Sequence, residues 1–598
     1  MKKLGIDTGG TFTDLIGVDS NGRVRSAKVL SSPEDPTLAI SRGIQDFDGV
    51  EQIVHGTTVA TNALLERRGA KSALIVNEGF EDILMLRRQA RPQLYGLQQV
   101  EPEHVVPRSL VRGVAGRLDE EGREVSPLDL VALKAFVGEF QAEGVESVAI
   151  CLLHAYANPA HELAARETLK ACGLEIPISL SHEVHSAFRE YERASTTAIN
   201  AYVQPKMQGY LERIEELAAS VEIMQSNGGV TEPEYAGKFP VNTLLSGPAG
   251  GVVGAQYAAE ELGIRSFLTL DIGGTSTDVS LVQGTPSLRE LMEIDSLAIA
   301  VPSLDIHTVG AGGGSIAWVD EGGALRVGPR SAGSTPGPVV FGRGGKEITL
   351  TDAHVFLGRI EVEKLEARGI AVDVESMAHE MQALADRLRM RPHEVAEGII
   401  RIANSVMGRA LKVVSVSRGI DVSGLALIAF GGGGGLHMCE LAEELGIGTC
   451  VLPAHSEVLS AWGLFQAGRV SVSRQTLLQE LDQGLVDTLK ARVTGEFTEL
   501  ELLLRYRGQG FELEVSVEDL SAISAVELER RFKRRHGREY GYEGQGIIEC
   551  VGYRVISRSP ADTKPLIRTS VGSEGASFWM PEGWGARESH GHVVMERQ

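Results

Sequence analysis

Cysteine is scarce. Five residues, Cys151, Cys172, Cys439, Cys450 and Cys550, are scattered through 598 positions with no C-x-x-C pair. That spacing excludes a disulfide framework or a zinc knuckle and fits a reducing cytosol. No run approaches the roughly 20 consecutive apolar residues of a membrane span. The N-terminus, MKKLGIDTGG, has lysines but no apolar core of a signal peptide. Positive charge is in deficit: 58 Lys and Arg stand against 80 Asp and Glu, a net −22 that disfavours nucleic acid. The basic cluster RRFKRRHGR at 530–538 continues the VELE pattern and reads as a solvated helix face. A cytoplasmic protein with neither nucleic acid nor membrane as partner is expected.

Familiar site motifs are missing too. G-x-x-x-x-G-K-[ST] is absent, which excludes a P-loop NTPase. GAGGGSI at 310–316 resembles a dinucleotide-binding turn only loosely, and it sits between strand-like DIHTV and IAWVD rather than before a helix. No H-E-x-x-H spacing gathers histidines into a metal site.

What is present is an alternation of short β-rich runs (SALIVN, SVAICLL, SFLTLD, LALIAF) with helical patterns (LERIEELAA, MAHEMQALADRL), the mark of an α/β chain. The length predicts two to four domains. Glycine clusters at 310–314, 342–345 and 431–435 read as turns close to a ligand. The polar stretch at 471–495 is expected to be more helical and to separate off a C-terminal region. The last two dozen residues show no period and read as a loose tail or a partner-binding arm.

The opening stretch LGIDTGGTFTDLIGVD nearly repeats at 268–282 as LTLDIGGTSTDVSLV. Asp7 to Asp14 and Asp271 to Asp278 match at six of eight positions. Each copy reads as strand, glycine turn, strand: a hairpin whose tip exposes backbone N–H groups. Paired glycines let a phosphate approach those amides, threonine hydroxyls add donors, and an aspartate at the strand end can hold Mg²⁺ through water. Two such hairpins, face to face, would clamp the β- and γ-phosphates of a nucleotide. Asp14 and Asp278 have a second reading, as residues that close their own turns. A third element, LALIAFGGGGGLHMCELAEELGI at 425–447, reads as strand, glycine turn and a helix from near Leu436. Bare glycine backbone at a helix start suits an anion or a flat ring.

Hairpin, hairpin, then strand–glycine–helix is the order found in the actin-like ATPase superfamily, where the last unit holds adenosine. STTAINAYVQP (195–205) and SAWGLFQAG (460–468) stand where its hinge helices belong. The chain further resembles the A subunit of the hydantoinase/oxoprolinase family. The resemblance is carried by GIDTGGTFTDLI, HGTTVATNALLERRGAK, RPQLYGL, EVHSAFREYERASTTAINAYVQP, MQSNGGV, LLSGPAGGVVGA, LDIGGTSTDVSLV, LDIHTVGAGGGSIAWVD, LRVGPRSAGSTPGP and VLSAWGL, from residue 4 to about 465 in the family's order. It implies a duplicated actin-like (ribonuclease H-like) ATPase core at 1–185 and 186–470, with an additional, shortened C-terminal α/β region at 471–598. It implies ATP and Mg²⁺ as cofactors and a cyclic amide (a hydantoin, 5-oxoproline or another lactam) as substrate. It also implies a metal-bearing B-type subunit as partner, opening the ring after this chain phosphorylates the amide oxygen.

Site residues follow by motif position. Asp7 and Asp271 are the expected catalytic and metal-orienting carboxylates. Gly9, Gly10, Thr11, Thr13, Gly273, Gly274, Thr275 and Thr277 would supply donors to phosphate. Gly312 and Gly313 would lie nearby, and Gly431, Gly432, Gly433 and Gly434 would flank adenine or ribose. His55 is a candidate for contact with substrate or phosphate, His307 and His437 for contacts beside the glycine turns. The chain departs from the family at GGGGGLH, at PGPVVFG and at Ser456-Glu457. Two rivals stay open at this point: a subunit of an ATP-dependent ketone carboxylase, and a nucleotide-binding regulator without turnover.

Overall fold

The computed structural model describes residues 3–10, 12–19, 24–32, 35–89, 104–366, 370–495, 497–560 and 577–598. Thr11 and the RPQLYGL motif lie outside the described residues.

Both expected hairpins form, and each seeds a sheet. β1 (Lys3–Thr8) and β2 (Phe12–Val18) pair antiparallel with Asp7 opposite Asp14, and β3 (Val24–Leu30) extends the meander. β4 (Gln52–Thr57) joins β1 in parallel on its other side, then β5 (Ser220–Met224) and β6 (Val230–Thr231) complete the order β6-β5-β4-β1-β2-β3. β1 and β4 are buried along nearly their whole length, as parallel strands covered on both faces must be. The run at 220–231 thus returns to the first sheet after a separate all-parallel sheet (Ile178–Leu180, Ser147–Cys151, Ser72–Asn77, Val111–Val114) and the helix α1 (Glu190–Glu215).

After α2 (Ser246–Glu261) the design repeats. β7 (Ser266–Ile272) and β8 (Thr277–Gln283) form the second hairpin with Asp271 opposite Asp278, and β9 (Ile306–Val309) pairs with β8. β10 (Ala426–Phe430) lies parallel to β7 as β4 does to β1. Directly behind β10 come α3 (Gly431–Leu445), β11 (Thr449–Leu452) and α4 (Leu459–Gln466). The duplicated α/β core is therefore real at the level of strand order and register. Between the halves, Val54 of β4, Ala249 and Val252 of α2, Phe267 of β7, Ile428 of β10 and Leu464 of α4 share one apolar cluster.

α2 and α4 cross at glycine. A methyl on Gly463 would stand 1.8 Å from the Gly250 carbonyl oxygen and 2.7 Å from the Gly254 nitrogen, so the backbones touch. The expected hinge helix at 460–468 therefore packs on α2, whereas the expected 195–205 segment belongs to α1, which lies on the Ser147–Cys151 strand.

The C-terminal region differs from its sequence reading in two places. The polar stretch expected to be helical opens with a long strand, Arg469–Glu480, and only Gln483–Arg492 is helix. Val470, Val472 and the polar residues between them carry a period of two that outweighs polarity. That strand joins Ile548–Ser559, Glu499–Tyr506 and Leu513–Val517 in an antiparallel sheet. The aperiodic tail is ordered on its own chain: β12 (Trp584–Ser589) and β13 (His592–Arg597) form a hairpin that extends the second sheet through β11. The basic cluster lies on the helix Ala525–Tyr540, where Arg530 and Arg531 pair with Glu527 and Lys533 with Glu529.

Candidate functional site

Each hairpin tip is closed by its own backbone: Gly9 N–H donates to Phe12 O at 2.9 Å and Gly273 N–H to Ser276 O at 3.0 Å. Among the described residues the second aspartate of each pair bonds outside its own turn. Asp14 takes an ion pair from Lys28 at 2.5 Å, and Asp278 accepts from the Thr308 hydroxyl. Like charges directly opposite one another on adjacent strands repel. Lys28 offsets Asp14, Asp278 has only a hydroxyl, and no ion pair to Asp7 or Asp271 occurs among the described residues.

Those inner carboxylates carry the electrostatic strain. Asp7 has one edge open to the cleft, but its Oδ1 is shut off from solvent and has no hydrogen-bond partner among the described residues. Burial, then the charge of Asp14, lifts its pKa from 3.8 to about 7, against the pull of Lys28. Asp271 is pushed well above the usual carboxylate range by burial and by the charges of Asp278, Asp7 and Asp14. The charges of Asp7 and Asp14 are among those that raise Asp271, so the carboxylates of the two hairpins lie within electrostatic reach of one another.

Glycines hold open the space around both. A Cβ at Gly56 or at Gly247 would sit 3.1 Å from Asp7 Oδ1, and one at Gly431 would sit 2.3 Å from Asp271 Oδ1. Gly431 also has φ +74°, a region that favours glycine. Gly247 lies in the first turn of α2, which Ser246 fastens to β4: its hydroxyl donates to Thr57 O at 3.0 Å and accepts from Thr57 N–H at 3.2 Å. Neither Ser246, Gly247 nor Lys28 stands out from the sequence alone. The Ser-Gly-Pro-Ala-Gly-Gly run is the available signal, since glycines at a helix start mark bare amides.

Other expected site residues fall in three groups. Gly10, Gly273, Gly274 and Thr275 are exposed at the hairpin tips, with Gly9 half-buried, and can meet a ligand. Thr13 and Thr277 are buried and committed internally, to the Ser31 hydroxyl and the Ala311 carbonyl. Gly312 and Gly313 brace the second hairpin: Gly312 N–H donates to the Ser315 hydroxyl and Gly313 N–H to Gly273 O at 3.0 Å. Their amides are thereby occupied.

The 431–435 glycines differ from expectation in a useful way. They are not a turn preceding a helix from Leu436 but the first residues of α3 itself. No side chain caps that end among the described residues, which leaves its first-turn amides, aligned with the helix dipole, as candidate donors.

His55 is not placed to meet a ligand. Its Nδ1 lies 3.1 Å from Ile6 O and its Nε2 2.6 Å from the Tyr210 hydroxyl, and burial depresses its pKa to about 4. Both nitrogens are spent holding β4 and α1 behind β1, which corrects its reading as a catalytic group. His437 is likewise buried between Asn404 and His354. His307 lies half-buried on β9.

Known proteins resemble the chain over most of its length. The hydantoinase/oxoprolinase profile matches residues 193–471, and the profile for the hydantoinase/oxoprolinase N-terminal region matches 3–173. The caprolactamase subunit alpha of Pseudomonas jessenii is 34% identical, over 96% of this chain and 89% of that one. An uncharacterised protein of Methanocaldococcus jannaschii is also 34% identical, over 92% and 87%. The 5-oxoprolinase of Saccharomyces cerevisiae is 30% identical over 93% of this chain, which spans 49% of its length. The crystal structure of the ATP-dependent caprolactamase from P. jessenii superposes with a TM-score of 0.85 at 30% identity, covering 100% of both chains. A nucleotide-free acetone carboxylase shares the fold, with a TM-score of 0.76 at 24% identity.

Proposed function

The chain belongs to the hydantoinase/oxoprolinase family, with an actin-like α/β core and a further C-terminal α/β region, and on that premise we propose that it is the ATP-binding A subunit of an ATP-dependent cyclic-amide hydrolase. What supports the proposal is the pair of inner aspartates, Asp7 and Asp271, each at the end of a hairpin strand with glycine backbone against its Oδ1 and each raised above the usual carboxylate range.

Two carboxylates forced together are costly unless a cation sits between them. Mg²⁺ suits the pair, because it is held by one or two carboxylates plus phosphate oxygens rather than by a cage of protein ligands. Asp7 Oδ1, buried and unpartnered, is the atom that would turn to the cation. ATP, bound with Mg²⁺, supplies the phosphoryl group that makes a cyclic amide open to attack by water.

The chain's own residues position and neutralise. Tip amides at Gly10 and Gly274 would donate to phosphate oxygens, those of Gly9 and Gly273 being used to close the turns, with the amides at the start of α3 beneath the nucleoside end. Lys28 pairs with Asp14 and partly offsets its charge beside the clamp. His55 and Tyr210 fix the strand that bears Asp7. Such phosphoryl transfer relies on placement and charge stabilisation more than on a protein nucleophile. Water delivery and ring opening fall to a B-type subunit in this proposal.

Phosphate release from ATP, by this chain together with a B-type partner, tests the reading. Stimulation by one member of a panel of hydantoins, 5-oxoproline and larger lactams, without bicarbonate, is the expected result and names the substrate. Release that requires bicarbonate and a ketone would overturn it in favour of a carboxylase. ATP binding with no stimulated release would make the chain a regulator.

A further inference from the structure

The C-terminal tail reaches the nucleotide side of the molecule. Trp579 N–H donates to the Gly435 carbonyl of α3 at 3.0 Å. A Cβ on Gly435 would stand 2.6 Å from the Ser577 carbonyl oxygen and 2.9 Å from Phe578 Cβ, so only glycine there lets the arm seat on the helix. Gly435 lies four residues beyond Gly431, which touches Asp271; at about 1.5 Å of rise per residue the arm docks about 6 Å along α3 from the acidic clamp.

The arm brings an apolar surface to that place. Phe578, Trp579 and Met580 are 38%, 36% and 39% exposed. One face of the Trp579 indole is already filled: the Arg359 guanidinium lies 4.9 Å from its centroid and is itself tied to Glu440 at 2.9 Å. A flat ring backed by an anchored cation, beside a helix start without side chains, is a stacking plate. Every nucleobase offers a π-face to such a plate.

We propose that Trp579, carried on the arm at 577–580, forms the stacking wall for the base of the bound nucleotide. The proposal rests on the reading of this site as an ATP site and adds a residue that lies more than a hundred positions beyond the last motif of the core. The wall acts on the nucleoside and not on the phosphates, and this separates it from the clamp.

The test uses the full chain and two ligands, Mg·ATP and Mg·tripolyphosphate, the second keeping the phosphates without a nucleoside. Titration calorimetry is expected to show Trp579→Ala binding ATP about ten-fold more weakly. Tripolyphosphate affinity is expected to be unchanged, and Trp579→Phe to recover most of the loss. ATP, but not tripolyphosphate, should quench tryptophan emission in the wild type and less so in Trp579→Phe, a readout that does not depend on the alanine variant folding. Unchanged ATP affinity in Trp579→Ala, an equal loss for both ligands, or tighter ATP binding (the arm then being a plug) would each overturn the wall. A wild-type chain that binds neither ligand would overturn both the wall and the ATP reading; one that binds ATP and is indifferent to Trp579 would remove the wall alone.

Discussion

Replacing Asp7 with asparagine is expected to stabilise the empty protein while abolishing ATP turnover. The size of the gain follows from where the carboxylate sits. Folding raises its pKa from 3.8 to about 7, chiefly through burial. Below the lower value the group is neutral in both folded and unfolded chains and costs nothing. As pH rises through the window, the unfolded chain gives up its proton while the folded one keeps it. Stability is therefore lost progressively, and the loss is complete once pH exceeds about 7. At about 1.4 kcal/mol per unit the whole gap is worth about 4 kcal/mol. The edge of the carboxylate that faces the open cleft admits solvent screening, which brings the expected figure to about 2–4 kcal/mol. Asparagine keeps the volume and removes the charge, so it escapes this penalty.

Denaturant unfolding of both proteins without nucleotide, at about pH 3 and about pH 8, reads the effect directly. The variant's advantage should be near zero at the acid end and grow to its full size at the alkaline end. Adding Mg·ATP should stabilise the wild type much more than the variant, because only the wild type has both carboxylates of the pair for the cation to neutralise. A variant less stable than wild type at alkaline pH, or an advantage independent of pH, would refute the reasoning. Either result would mean that Asp7 already has a partner in the folded chain.

Other changes probe the remaining parts. Gly431→Ala must place a methyl 2.3 Å from Asp271 Oδ1 at φ +74°, so ATP-dependent phosphate release should fall at least ten-fold while the circular dichroism spectrum stays native. Gly463→Ala drives a methyl into the Gly250 carbonyl and should destabilise the α2–α4 crossing by about 1–3 kcal/mol or more, measured by thermal unfolding. Tyr210→Phe leaves His55 Nε2 without its partner and should cost about 1–3 kcal/mol of stability with little change in the KM for ATP. A raised KM at unchanged stability would instead return His55 to the ligand. Since burial holds His55 near a pKa of about 4, it should add no limb to the pH–rate profile near 6.5.

Which parts of this site can be read from the sequence follows from the range of the interactions that build them. The two hairpins are legible because strand, glycine turn and strand are adjacent in the chain, and the repeat of Asp7 through Asp14 at Asp271 through Asp278 points to a common job. What surrounds them is not legible, because it arrives from far away. Gly247 reaches Asp7, and Ser246 grips Thr57 across 189 positions. The start of α3 escapes a local reading for a related reason. Glycine in a helix costs about 1 kcal/mol relative to alanine, so a run of five argues for a turn on local grounds. Tertiary contacts reverse that preference: Asp271 meets Gly431, Ile272 Cγ2 would stand 2.7 Å from a methyl on Gly433, and the Ser577 carbonyl does the same at Gly435. Each of these glycines is where another piece of backbone or a side chain comes too close for a Cβ. The run is thus an imprint of two segments, β7 and the arm at 577–580, converging on one helix end, which is what a site assembled from distant parts of a chain requires.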